Sequence, residues 1–151
     1  KHWGKRMSYY NRQNKSTKVV RKDIQPTEDS IHLALMDWLK TQPYKDGKLD
    51  AYFHHSPNGG TASPRQKAKF TKMGTLNGFP DLECFIAKGR YHGLYVELKR
   101  EKGGIVSADQ KRILGMLNEE GYAAVVCRGF DASVKAINDY MALKDGDSMP
   151  E

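Results

Sequence analysis

Asp81 lies in the run Gly78-Phe79-Pro80-Asp81-Leu82, and sixteen residues later Glu97 and Lys99 lie in Leu94-Tyr95-Val96-Glu97-Leu98-Lys99-Arg100. In the second run Leu94, Val96 and Leu98 alternate with Tyr95, Glu97 and Lys99, which is the period of a strand. Residues two apart on a strand share a face, so Glu97 and Lys99 point together, away from the leucines. A second apolar run, 82–87, starts directly after Asp81. If the two runs pair as a hairpin, Asp81 comes near Glu97. Two carboxylates and an ammonium at strand ends suit a hard divalent cation, Mg²⁺ or Mn²⁺, with a charged helper beside it. Each piece also has a plainer use. A Glu-x-Lys spacing fits a solvated strand face, Lys99 can simply pair with Glu97, and an Asp after Pro fits a turn.

The flanking elements decide whether these groups meet. Thr27 is an N-cap for a helix over 28–40 with Ile31, Leu35, Trp38 and Leu39 on its apolar face. At 100° per residue Glu28 falls between Leu35 and Leu39 on that stripe, whereas Asp29 falls off it. A polar loop over 41–50 follows, then a short strand over 51–55 and the turn Pro57-Asn58-Gly59-Gly60. In 63–72, Arg65, Lys67, Lys69 and Lys72 face no acid; the segment suits phosphate contacts or a solvated helix face. Ser107 opens a helix with the capping-box spacing Ser107-Ala108-Asp109-Gln110. Ile113, Leu114 and Leu117 form its buried face, Gln110 lies on the same side, and Gly121 ends it. The apolar run 122–127 predicts a strand covered on both faces, and Asp131 caps a last helix with Val134, Ile137 and Met141 inward. A helix between the Glu97 strand and 122–127 implies a right-handed crossover and a parallel pair. The fold class is therefore α/β, a mixed central sheet flanked by helices.

A chain of 151 residues can form one domain with a real core. Its mean hydropathy is −0.72, and no apolar run approaches the ~20 residues of a membrane span, so a cytoplasmic protein without membrane contact is expected. No apolar stretch of signal-peptide type opens the chain, which starts at Lys1, so the native start is expected upstream. Cys84 and Cys127 sit in apolar runs and read as small buried hydrophobes. They are too few for a zinc cluster, and His54, His55 and His92 add no metal-binding spacing. Residues 1–22 carry eight basic and no acidic side chains, whereas the other 129 carry 17 basic and 18 acidic, so the basic excess belongs to an N-terminal arm. Such an arm suits a phosphate backbone, or serves targeting or solubility. The expected organisation is an arm over 1–25, a domain over 26–142 and a frayed tail over 143–151.

The order Gly-x-Pro-Asp, Glu-x-Lys, Ser-x-x-Gln at a helix start and Gly-Tyr before a strand resembles the VRR-NUC family. That family belongs to the PD-(D/E)XK, restriction-endonuclease-like nucleases, and its phage-type stand-alone members are most similar. Pro57-Asn58-Gly59-Gly60 after a His-containing strand and Met73-Gly74 before the Asp turn add to the match, which covers roughly 27–141. The resemblance implies a restriction-endonuclease-like core and a Mg²⁺- or Mn²⁺-dependent DNA endonuclease without an organic cofactor. It implies Asp81 and Glu97 as metal ligands with the Leu98 carbonyl, Lys99 beside the attacking water, Glu28 as the helical acid and Gln110 as the glutamine of the following helix. Asp29 is the fallback if that first helix starts one residue later. Arg65, Lys67, Lys69, Lys72, Arg100 and Asn58 are the expected DNA contacts. A homodimer acting on branched or otherwise structured DNA is expected; a restriction-like or nicking enzyme on ordinary duplex and a non-catalytic nucleic-acid-binding module are the alternatives.

Overall fold

The computed structural model describes residues 25–57 and 62–150, so the arm over 1–22 and Asn58 lie outside the described residues. One mixed sheet runs in the order β3–β4–β5–β6, with β3 at Phe53–His55, β4 at Leu82–Cys84, β5 at Leu94–Lys99 and β6 at Ala123–Arg128. The pairs β3/β4 and β4/β5 are antiparallel, and β5/β6 is parallel, as the expected crossover requires. Helix α3 (Ala108–Glu119) makes that crossover. Helices α1 (Glu28–Leu39), α2 (Pro64–Lys72) and α4 (Gly129–Ala142) complete the mixed α/β architecture.

The two-residue period of β5 sorts its side chains as expected. Leu94, Val96 and Leu98 are at most 1% exposed and pack in one cluster with Ile31, Leu35 and Leu39 of α1 and Ile137 and Tyr140 of α4. Each such aliphatic side chain contributes about 1.5–3 kcal/mol when fully buried. Tyr140 lends area without an unpaired phenol, because its O–H donates to the Ile86 carbonyl at 2.7 Å. Thr27 caps α1 by accepting from the Ser30 N–H, and Ser107 caps α3 in a complete capping box.

Several elements differ from the sequence expectation. The 41–50 loop contains a two-stranded hairpin, β1 (Pro43–Tyr44) with β2 (Gly47–Lys48), and 3-10 turn geometry over Leu49–Tyr52 shortens the next strand to β3. β4 stops at Cys84, short of the expected 87, and α4 starts at Gly129, two residues before Asp131. β6 is not covered on both faces, since Val126 is 37% exposed, and as the last strand of the sheet it also leaves a backbone edge. Its run of small and β-branched residues carries no sign of which edge stays open. Asn118 of α3 blunts that edge, its amide accepting from Ala124 N–H at 3.0 Å and facing the Ala124 carbonyl at 3.4 Å. The segment after α4, for which a loose tail is expected, makes hydrogen bonds. Asp147 C=O accepts from Arg90 N–H at 3.0 Å, and Met149 N–H donates to the Tyr91 hydroxyl at 3.1 Å.

Candidate active site

Register brings the two carboxylates together. β4 pairs with β5 through Leu82↔Val96, so Asp81, one residue before Leu82, continues the ladder toward Glu97, one residue after Val96. The turn that delivers Asp81 is pressed against the start of α3. Gly78 has φ +79, and a Cβ there would meet the main chain of Asp109 and Gln110 at 2.6 Å. Asp81 is then tied at both ends. Its Oδ2 accepts from Leu98 N–H at 2.8 Å, and its carbonyl accepts from Ser56 N–H at 3.0 Å and lies 3.0 Å from His55 Nδ1. A strand residue's N–H and C=O point to the same edge, so the Leu98 carbonyl faces the Asp81 side, beyond the last β4 pair. Burial raises the Asp81 pKa, against the opposing pull of the Leu98 N–H and the Lys99 charge.

Glu97 is 1% exposed on the face opposite the leucines. Its Oε1 accepts from Lys99 Nζ at 2.6 Å and from the Gln110 amide. Its Oε2 is buried without a hydrogen-bond partner among the described residues. Desolvation pushes the Glu97 pKa up to about 7; the Lys99 hydrogen bond and charge resist this, while Asp81 and Glu28 reinforce it. Lys99 Nζ also lies 3.7 Å from Glu28 Oε2, and Glu28 Oε1 accepts from Arg100 N–H at 3.4 Å. The structure thus gathers Glu28, Asp81, Glu97, Lys99 and Gln110 at one end of β5, while Asp29 is exposed on the next position of α1. Gln110 serves the cap and the site with one amide. Its oxygen accepts from Ser107 N–H at 2.8 Å, which leaves its nitrogen facing Glu97.

The basic segment separates into two sides. A cleft of about 240 Å³ opens beside Asp81 and Gln110, and Lys67, Phe70 and Thr71 of α2 line it. Arg65, Lys69 and Lys72 fall on the other side of α2 at 100° per residue, so Lys67 is the cation of this helix that meets the cleft. Sequence reasoning also missed two histidines beside Asp81. The His32 and His55 rings meet edge to face at 4.4 Å, and burial, followed by His55, lowers the His32 pKa. The available signal was the four-residue step from Glu28 to His32, which puts both on one face of α1.

Among the described residues, no three carboxylate, imidazole or thiol side chains form a metal-binding set by themselves. The site offers hard oxygens of another kind: the Asp81 carboxylate, the partnerless Glu97 Oε2 and the Leu98 carbonyl side of β5. A buried anionic oxygen with no donor is a costly arrangement that a divalent cation relieves, so the residues fit such an ion.

Comparison with known proteins bears on the family and the fold. The sequence profile of the VRR-NUC domain matches residues 26–131. A solved structure described as a VRR_NUC domain protein is similar at 37% identity with a TM-score of 0.75, covering 83% of this chain and 99% of its own. A search of curated proteins found no match.

Proposed function

The chain belongs to the VRR-NUC domain family, a family of nuclease domains, and on that premise we propose that it is a divalent-metal-dependent DNA endonuclease acting on branched or otherwise structured DNA. The observation that carries the metal-dependent reading is Glu97: a carboxylate 1% exposed, one oxygen held by Lys99 and Gln110, the other unpartnered and next to Asp81 in the ladder. An enzyme that stored this group for stability alone would gain by replacing it with an apolar side chain.

Asp81, Glu97 and the Leu98 carbonyl would hold the ion. Bound there, a divalent ion supplies charge neutralisation for the phosphodiester and acidifies a nearby water. The remaining tasks fall to the chain itself. Leu98 N–H fixes Asp81 Oδ2, and so sets which Asp81 oxygen stays available. Gln110 and Lys99 donate to Glu97 Oε1, which leaves Oε2 as the oxygen that would ligate the ion. Lys99 Nζ, steadied between Glu97 and Glu28, would donate to the attacking water or to a phosphate oxygen. Glu28 therefore positions Lys99 and receives Arg100 N–H, which fits a supporting acid. Lys67, in the cleft beside Asp81, provides a cation for a flanking phosphate.

The test is cleavage of labelled duplex, flap, splayed-arm and four-way DNA with Mg²⁺, Mn²⁺, Ca²⁺ or excess chelator. The expected result is cleavage with Mg²⁺ or Mn²⁺ only, fastest on a branched substrate, and none by Asp81→Ala, which keeps DNA binding. Undiminished cleavage in chelator would overturn the metal requirement, and equal rates on all four substrates would overturn the structural preference.

A further inference from the structure

α2 contributes no buried residue, yet its two sides differ in kind. Lys67, Phe70 and Thr71 face the cleft at Asp81, whereas Arg65, Lys69 and Lys72 share the other side. Phe70 is 45% exposed, and beyond it a second cleft of about 410 Å³ runs on to His54 and Gly74. Phe70, Leu76 and Phe79 wall both clefts, so the apolar surface is continuous from the carboxylate end outward. Among the lining residues of the two clefts Asp81 is the one acid, and it stands at the candidate scissile phosphate. An apolar wall of Phe70, Leu76 and Phe79 beside a helix bearing four cations matches a ligand with an aromatic part joined to anionic parts. A nucleotide is that ligand, and one sugar separates its base from its phosphate.

We propose that this double cleft receives one unstacked nucleobase next to the cleaved phosphate, with the base against the Phe70 ring and the adjoining backbone on α2. The inference rests on the nuclease reading above and specifies its substrate: DNA in which that base is already unpaired. Drawing a base out of intact duplex costs a few kcal/mol, so an unpaired base is favoured without any reading of sequence. Stacking tolerates every base, because each has a π-face. Lys67 meets the phosphate nearest the base, and Arg65, Lys69 and Lys72 lie along the outer side of the helix, toward more distant phosphates.

The experiment places 2-aminopurine at the nucleotide next to the single-strand–duplex junction of a splayed-arm DNA, in three probes: unpaired, fully paired, and an abasic counterpart with a neighbouring reporter. Binding is measured in chelator, where cleavage does not intervene, for the wild type, Phe70→Ala and Phe70→Trp. The expected result is quenching of the unpaired 2-aminopurine by the wild type. Phe70→Ala should lose it and bind that probe about tenfold or more weakly, the scale of one base–aromatic stack. Phe70→Trp should restore both, and the abasic probe should not distinguish the variants. Equal weakening of all three probes, or none, overturns the proposal. So does a change in sedimentation of Phe70→Ala with the quenching unchanged, because a protein surface would then cover the cleft. If quenching depends on Phe70 and yet no substrate is cut with metal, the base site stands and the nuclease reading fails. The reverse pattern removes the base site alone.

Discussion

Glu97→Gln should stabilise the metal-free protein, by an amount that grows as pH rises from about 4.5 and is complete above about 7. The substitution keeps an oxygen for Lys99 and Gln110 and removes the charge whose burial is unfavourable. In the unfolded chain the carboxyl titrates near 4.5, and in the folded protein near about 7. Between these values the folded state holds a proton that the unfolded state has released, so stability falls as pH rises across that window. Below about 4.5 both states are protonated and the penalty vanishes; above about 7 it is complete. At about 1.4 kcal/mol per pH unit the gap corresponds to about 3 kcal/mol. The variant recovers less than that, because Lys99 loses its nearest counter-charge; a gain of about 1–2 kcal/mol at pH 8 is expected. For a domain of this size that is roughly 2–8 °C in Tm. Urea unfolding in chelator at pH 5 and pH 8 measures it, with the two proteins converging at pH 5. A variant less stable than the wild type at both pH values would refute the reasoning, since the Lys99 ion pair would then outweigh desolvation.

Four further outcomes follow from the same geometry. Lys99→Gln keeps a donor to Glu97 and should lower turnover at least about a hundredfold with the fold retained; retained turnover in a cleavage assay would reduce the ammonium to a packing partner. Glu28→Gln should cost more activity than Asp29→Asn, because Glu28 meets Lys99 and Arg100 while Asp29 is exposed; the opposite ranking moves the supporting acid to Asp29. Gly78→Ala should destabilise by about 3 kcal/mol and abolish cleavage, whereas Gly74→Ala, also at positive φ but with open space around it, should cost about 1 kcal/mol in the same urea titration; equal costs would deny the close approach to α3. Removing residues 1–22, which carry +8, should lower the slope of log DNA affinity against log salt by roughly 3 if three or four charges engage phosphates. An unchanged slope would assign the arm to another partner.

What could be read from the sequence was whatever a local period carries. Alternation along β5 placed Glu97 and Lys99 on one face, and the apolar stripe of α1 singled out Glu28 over Asp29. The capping-box spacing at Ser107 set the start of α3, and the helical period put Gln110 on the side of Ile113 and Leu114. Each of these follows from covalent geometry, so a few neighbouring residues suffice. The misses need residues distant in sequence. The open edge of β6 depends on which strand ends the sheet. The segment 63–72 was a count of cations until the cleft gave α2 an inside and an outside, and then Lys67 parted from Arg65, Lys69 and Lys72. His32 and His55 lie on different elements and meet only because β3 lies beside the Asp81 turn. The same holds for the orphaned Glu97 Oε2. Gln110 at the start of α3 holds the companion oxygen, and the turn before Asp81 packs tightly on that start only because position 78 lacks a Cβ. The glycine of the Gly-x-Pro-Asp motif therefore acts on both sides of the site. It lets the turn deliver Asp81, and it lets the start of α3 bring Gln110 to Glu97.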